Sequence, residues 1–276
     1  MTPFTLGPAL LFCPADRPER YEKAAARADA VILDLEDAVT GPAKESARQT
    51  LIASRLDPAT TVIRVNPADS TELSEDLRAL RSTPYRTVML AKTAGAAHVR
   101  LLAGYDVIAL VETAAGVVGV ADIAAEPNVV ALMWGAEDLV ASLGGTSSRG
   151  PDGRYRDVAR HARSATLVAA AAYGKAAVDA IHLDITDLDG LAAEARDAVA
   201  SGFSATACIH PSQVAVVRAA YLPSEEERAW AEEVQQAAVG RHGAFRWRDQ
   251  LVDGPVLKHA EQLLRRAREA RSASDS

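Results

Sequence analysis

The sequence predicts an α/β fold, a (β/α)8 TIM barrel with a C-terminal helical extension, and three observations carry that expectation. Eight short apolar runs alternate with helical patterns along the 276 residues. The repeat is roughly 25 to 30 residues, close to what one βαβ unit requires. No hairpin signal separates successive runs, which are apolar enough to be parallel strands buried on both faces. An open doubly wound sheet is the rival, and the count of eight favours closure.

In order, the first strand covers 9–14, and Asp16 with Pro18 opens a helix to about Ala28, as an acidic cap followed by proline does. The second strand, 30–35, ends in Glu36-Asp37, and Gly41-Pro42 introduces a helix to about Ser54. Strand three, 61–66, is closed by Pro67 and followed by a helix over 71–81; strand four, 87–92, precedes a helix over 96–103. Strands five and six are 107–111 and 129–134, joined by a helical turn. A glycine- and serine-rich loop, 144–153, leads to an alanine-rich helix over 155–173. Strand seven is 177–185, a helix covers 188–201, and strand eight is 205–210, with Pro211-Ser212 starting the next helix. The barrel domain is thus 1–220. The extension, 221–276, reads as a helix over 224–239, an extended arm over 240–254, a helix over 255–270 and a frayed tail.

Hydrophobic residues make up 49% of the chain, enough for a large core. A formal charge of −7 and a pI near 5.4 supply no basic stripe, so neither nucleic acid nor an anionic membrane is an expected partner. The two cysteines, Cys13 and Cys208, are too few for a disulfide framework or a cysteine zinc site and fit a reducing cytoplasm. No basic segment precedes the short N-terminal apolar run, and no stretch reaches the roughly 18 apolar residues of a membrane span. The chain is therefore expected to be soluble, unprocessed and cytoplasmic.

Chemistry is expected where strands five and six end, at Glu112-Thr113 and at Gly135-Ala136-Glu137-Asp138. Ligands of parallel α/β folds bind at the carboxyl ends of strands. Neighbouring strands lie about 4.8 Å apart, so Glu112 and Asp138 can reach one cation. Two carboxylates with room for water favour Mg²⁺ over Ca²⁺ or Zn²⁺. The two-residue period puts Glu112 on one face with Ile108 and Leu110, and Arg64 with Val62 and Asn66, so inward positions turn from apolar to charged toward the mouth. Plainer readings stand beside these. Arg64 can simply pair with Asp34 or Glu36. Lys92, ending strand four, invites a Schiff base, but a metal pair makes one unnecessary and an electrostatic role is preferred. His182 and His210 have no metal spacing, and the 144–153 loop lacks a phosphate-loop pattern, so it is expected merely to cover the mouth.

The runs LFCPADRPERYEKA, VILDLEDAV, VIRVNP, ALVETAAG, LMWGAEDL, CIHPSQ and LVDGPVLKHA, in that order, resemble the citrate lyase β-subunit-like branch of the HpcH/HpaI aldolase and citrate lyase family. The resemblance implies a barrel enzyme assembled as a homo-oligomer, commonly a trimer, that makes or breaks a carbon–carbon bond next to a thioester. By resemblance Glu112 and Asp138 match Mg²⁺ ligands, and Arg64 matches the arginine that holds the substrate carboxylate. Asp37 falls in the acidic motif flanking the metal, where it can orient Arg64 or a metal-bound water. Asp253 matches an acid that works at a neighbouring subunit's site, although its place before Gly254-Pro255 also reads as a helix N-cap.

The expected reaction is Mg²⁺-dependent cleavage of a 3-hydroxyacyl-CoA, of malyl, citramalyl or 3-hydroxy-3-methylglutaryl type, to acetyl-CoA and an oxo acid, or the reverse. Backbone N–H groups of Gly135, Ala136 and Glu137 are expected to form an oxygen-binding pocket, because glycine permits close approach. Asp253 takes the methyl proton in the condensing direction. Arg17, with Arg20 and Lys23, is the candidate receiver of the anionic CoA, and the extension is expected to pack the oligomer and close the site. Three alternatives stand: a citrate lyase β subunit acting on a carrier-bound citryl thioester, a pyruvate-enolate aldolase, and a non-catalytic binding or assembly subunit.

Overall fold

The computed structural model describes residues 4–274, and the side chains of 4–268. Eight parallel strands close into a barrel in sequence order: β1 (Ala9–Pro14), β2 (Ala30–Asp34), β3 (Thr61–Val65), β4 (Thr87–Leu90), β5 (Asp106–Val111), β6 (Val129–Trp134), β7 (Ala176–Asp179) and β8 (Ala205–Cys208), with β8 pairing back to β1. The chain divides into two compact units, 1–217 and 218–276. No helix among the described residues is long and apolar enough to cross a membrane.

Alternation along each strand decides what fills the barrel. Leu10, Ile32, Val62, Met89, Ile108, Leu110 and Met133 belong to one buried cluster, and each such side chain is worth roughly 1.5–3 kcal/mol when fully buried. Two residues further along the same faces, the apolar side chains give way to Asp34 on β2, Arg64 on β3 and Glu112 just past β5. Asp34 and Arg64 are register partners, so the sheet itself presses the carboxylate and the guanidinium together. The β5/β6 pairing skips a residue, Val107 facing Val129 but Ile108 facing Ala131. That irregularity carries Trp134 opposite Val111 and leaves Gly135 beside Glu112.

Several boundaries differ from expectation, each for a local reason. Strand four stops at Leu90 because Lys92 adopts φ +50°, a left-handed turn. Strand seven stops at Asp179, whose carboxylate accepts hydrogen bonds from the Ala180 N–H and the Trp134 indole. The first helix is a 3-10 turn, Pro18–Arg20, followed by Tyr21–Ala25. Asn66 does not share the inward face of Arg64. Its amide donates to Asp76 (2.7 Å), on helix Glu72–Leu80, and accepts from Lys44 (2.8 Å), on helix Lys44–Ala53, so the chain has already turned toward the helices.

In the second unit, helix Glu225–Ala238 starts with a capping box made by Ser224 and Glu227. The expected arm is an antiparallel hairpin of β9 (Phe245–Trp247) and β10 (Gln250–Val252). Val252 joins Ala231, Val234, Ala260 and Leu263 in a small core of this unit. The last helix, Gly254–Ser274, runs four residues beyond the expected 270; of the tail expected to fray, residues 275–276 lie outside the described residues.

Candidate active site

A pocket of about 400 Å³ lies at the carboxyl ends of the strands. Phe12, Leu110, Met133, Ile181 and Ile209 supply its apolar lining, and Asp34, Asp37, Arg64, Glu112 and Asp138 its charged one. The structure thus gathers Arg64, Asp37, Glu112, Gly135, Ala136, Glu137 and Asp138 at one cavity.

Glu112 is 3% exposed. One carboxylate oxygen accepts the Lys92 backbone N–H at 2.9 Å, and the other faces Gly135 so closely that a Cβ there would sit 2.7 Å from it. Burial first, and the negative charge of Asp138 second, push the Glu112 carboxyl up to about 8. Asp138 stands on the first turn of helix Ala136–Ser142, half-buried, with the Lys92 ammonium 3.3 Å away.

Arg64 clamps Asp34 through a two-pronged contact, Nε to Oδ1 at 2.7 Å and Nη2 to Oδ2 at 2.6 Å. Its Nη1 lies 3.2 Å from Glu36 and 4.0 Å from Asp37, and the guanidinium sits 4.9 Å from the centre of the Phe12 ring. Burial disfavours the charged form, but Asp34 and Glu36 outweigh it and raise the Arg64 pKa. The plain ion-pair reading of Arg64 therefore holds, and the residue also lines the pocket. Asp34 takes only part of a five-donor group.

Lys92 meets the carboxylates from the other side, its Nζ 2.5 Å from Glu36 and 3.7 Å from Asp37. Hydrogen bonding to Glu36 and the charges of Glu36, Glu112 and Asp138 raise its pKa despite burial. With its ammonium engaged by Glu36 and Asp138, Lys92 has the electrostatic role preferred for it over that of a free nucleophile. Lys44 fixes the loop after β2 from behind, donating to the carbonyls of Leu35 (2.7 Å) and Glu36 (2.9 Å).

One expectation changes. The Gly135 N–H donates to the Val111 carbonyl at 3.2 Å, continuing the ladder, so it is no donor to a ligand. Gly135 contributes room for Glu112 instead. The N–H groups of Ala136 and Glu137 belong to the first helical turn, whose donors have no carbonyl partner within the helix. Arg17 is exposed beside Asp16 and is not part of the pocket wall; Arg20 and Lys23 are likewise exposed outside it.

The Glu137 carboxylate accepts from the Ser148 hydroxyl at 2.6 Å, which ties the 144–153 loop to the rim. His182 meets Glu194 through Nδ1 (2.8 Å), but its buried Nε2 makes no hydrogen bond, with Asp187 3.4 Å away, so it is only half satisfied; His210 is exposed and pairs with Ser212 (2.7 Å). Asp253 lies in the second unit, where its carboxylate accepts the Val256 N–H at 3.3 Å and caps the last helix. Sequence reading passed over Lys44 altogether. A lysine nine residues past a strand end carries no signal for that contact.

Among the described residues no cluster of three His, Cys, Asp or Glu side chains is arranged to hold a metal. The pair Glu112 and Asp138 is what could hold one. An all-oxygen pair leaving positions for water fits a hard cation such as Mg²⁺. The raised Glu112 carboxyl fits too, since a bound cation would relieve its repulsion with Asp138.

Comparison with known proteins finds relatives along nearly the whole chain. The family model described as HpcH/HpaI aldolase/citrate lyase matches residues 9–105 and 101–211. A citrate lyase subunit beta-like protein of Mycobacterium tuberculosis is 59% identical over 266 residues, covering 96% of this chain and 97% of that one. The mitochondrial citramalyl-CoA lyase of Homo sapiens is 31% identical over 292 residues, covering 93% and 84%. Among solved structures, CitE from Mycobacterium tuberculosis in complex with magnesium, acetoacetate and coenzyme A has a TM-score of 0.91 at 58% identity, covering 95% of this chain and 98% of that one.

Proposed function

The chain belongs to the HpcH/HpaI aldolase/citrate lyase family, and from that premise we propose that it is a Mg²⁺-dependent carbon–carbon lyase cleaving a 3-hydroxyacyl-CoA to acetyl-CoA and an oxo acid, or running the reverse condensation. The observation that carries this reading is the placement of Glu112 and Asp138 in one pocket with Arg64. The magnesium, acetoacetate and coenzyme A bound by the CitE relative support it.

Cleavage removes the proton of the 3-hydroxyl, breaks the C2–C3 bond, turns C3 into a carbonyl and leaves the electron pair on the thioester α-carbon, which is then protonated. Glu112 and Asp138 would hold the Mg²⁺, which would supply Lewis-acid charge to the oxygens of the acid half. Arg64, fixed by Asp34, presents its remaining N–H groups to the carboxylate of that half. Ala136 and Glu137 offer backbone donors to an oxygen at the helix start. Asp37, exposed on the rim near Arg64 and Lys92, orients polar groups at the mouth. The apolar wall of Phe12, Met133 and Ile181 keeps water from the carbanionic carbon. Asp253 is the proposed proton acceptor and donor at that carbon, acting from a neighbouring copy in a homo-oligomer, for which a trimer is the favoured state. In that assembly the second unit packs subunits together and closes the site.

Mass spectrometry after incubation with malyl-, citramalyl-, citryl- and 3-hydroxy-3-methylglutaryl-CoA tests the reading. Acetyl-CoA is expected from at least one of them, lost on EDTA treatment and in Glu112→Gln. Turnover that survives thorough chelation, with no metal recovered by elemental analysis, removes the mechanism.

A further inference from the structure

We infer that Lys92 is a positioning residue whose ammonium serves as the resident counter-cation of the carboxylate ring, holding down the site's affinity for the divalent cation while leaving enough positive charge to admit an anionic substrate. The inference rests on Glu112 and Asp138 being the cation ligands. One residue touches the ring in two independent ways. Its side chain reaches Glu36 (2.5 Å), Asp138 (3.3 Å) and Asp37 (3.7 Å). Its backbone, turned to φ +50°, aims the N–H at Glu112 (2.9 Å). A non-glycine residue rarely adopts that conformation, and here it brings a single lysine against both proposed ligands.

Charge accounting shows what the ammonium does. Among the described residues, the cations that reach Asp34, Glu36, Asp37 and Asp138 are Arg64 and Lys92, and Glu112 accepts the Lys92 backbone N–H. Arg64 is committed to Asp34, and Lys44 is directed at the Leu35 and Glu36 carbonyls and at Asn66. Lys92 is thus the cation that competes at Asp138. In a partly buried site a unit charge a few ångströms away is screened much less than one in open solvent. Deleting it deepens the negative potential, which draws a divalent cation in and pushes an anion out. A lysine that merely braced the fold would, when removed, weaken both.

The test is calorimetric titration of the metal-free full-length protein with MgCl₂ at one pH in one buffer, then of the Mg²⁺-loaded protein with oxaloacetate as the anionic probe. Glu112→Gln comes first: loss of Mg²⁺ binding upholds the ligand pair, whereas binding like the parent's sinks that reading and this inference together. With the pair upheld, Lys92→Met is expected to bind Mg²⁺ about tenfold more tightly and oxaloacetate about tenfold more weakly, and Lys92→Arg to stay within about threefold of the parent for both. Lys92→Gly, which suits the left-handed backbone and keeps the N–H to Glu112, should reproduce Lys92→Met. Unchanged or weaker Mg²⁺ binding in Lys92→Met or Lys92→Gly overturns the inference, as does failure of both to fold.

Discussion

Gly135 and Glu112 share one small volume, and that makes the glycine a sensitive probe of the site. A methyl group at Gly135 would stand 2.7 Å from the Glu112 carboxylate, and a flexible side-chain end yields before backbone does. The same methyl would stand 3.0 Å from the Glu112 Cβ, which moves only with its backbone, so Gly135→Ala is expected to lower the thermal midpoint as well as to weaken Mg²⁺ binding at least about tenfold; calorimetry and thermal scans together check it. Arg64→Lys keeps the charge but loses the planar fork on Asp34. A fall of about 100-fold in kcat/KM is expected, and parent-like kinetics would move the carboxylate clamp to another residue. The Glu112, Asp138 and Arg64 positions were legible in the sequence because a charge that ends an apolar run must emerge at the barrel mouth. The roles of Gly135 and Lys92 were not, because they depend on a cross-strand approach and on one unusual φ, and neither leaves a periodic trace.

The strands were the most legible elements. An apolar run bounded by charge has few other ways to be buried, and β1 and β6 fall where the runs do. The ends of β4 and β7 were not legible: β4 ends on the left-handed turn at Lys92, and at the end of β7 the Trp134 indole and Arg163, both from other elements, converge on Asp179. The start of the last helix is an element whose cap carries a second assignment. Asparagine caps a helix about as well as aspartate, so Asp253→Asn should unfold at the parent's temperature. If the carboxylate also serves a neighbouring copy's site, the variant loses turnover, and refolding it together with inactive Glu112→Gln restores part of it through mixed assemblies. A dead mixture, with mixed oligomers verified by native mass spectrometry, leaves Asp253 as a cap alone.

For the molecule as a whole, the buried Glu112 carboxyl ties stability to pH. Its folded value near 8 lies above its ordinary 4.5, so the folded state holds this proton more firmly than the unfolded chain does. Its contribution to stability is full below about pH 4.5 and is lost as pH rises through about 8. Urea unfolding of the metal-free protein between pH 5 and pH 8.5 should show a decline that is shallower in Glu112→Gln; identical slopes would mean that the carboxyl is already ionised in the fold. The same carboxyl makes loading with metal an acid-producing reaction. A cation can be ligated only by the ionised form, so at pH 7 each Mg²⁺ taken up should expel close to one hydrogen ion into the medium. An unbuffered sample with a pH electrode would register that acidification, and the heat of binding would differ between Tris and phosphate in proportion to their ionisation enthalpies.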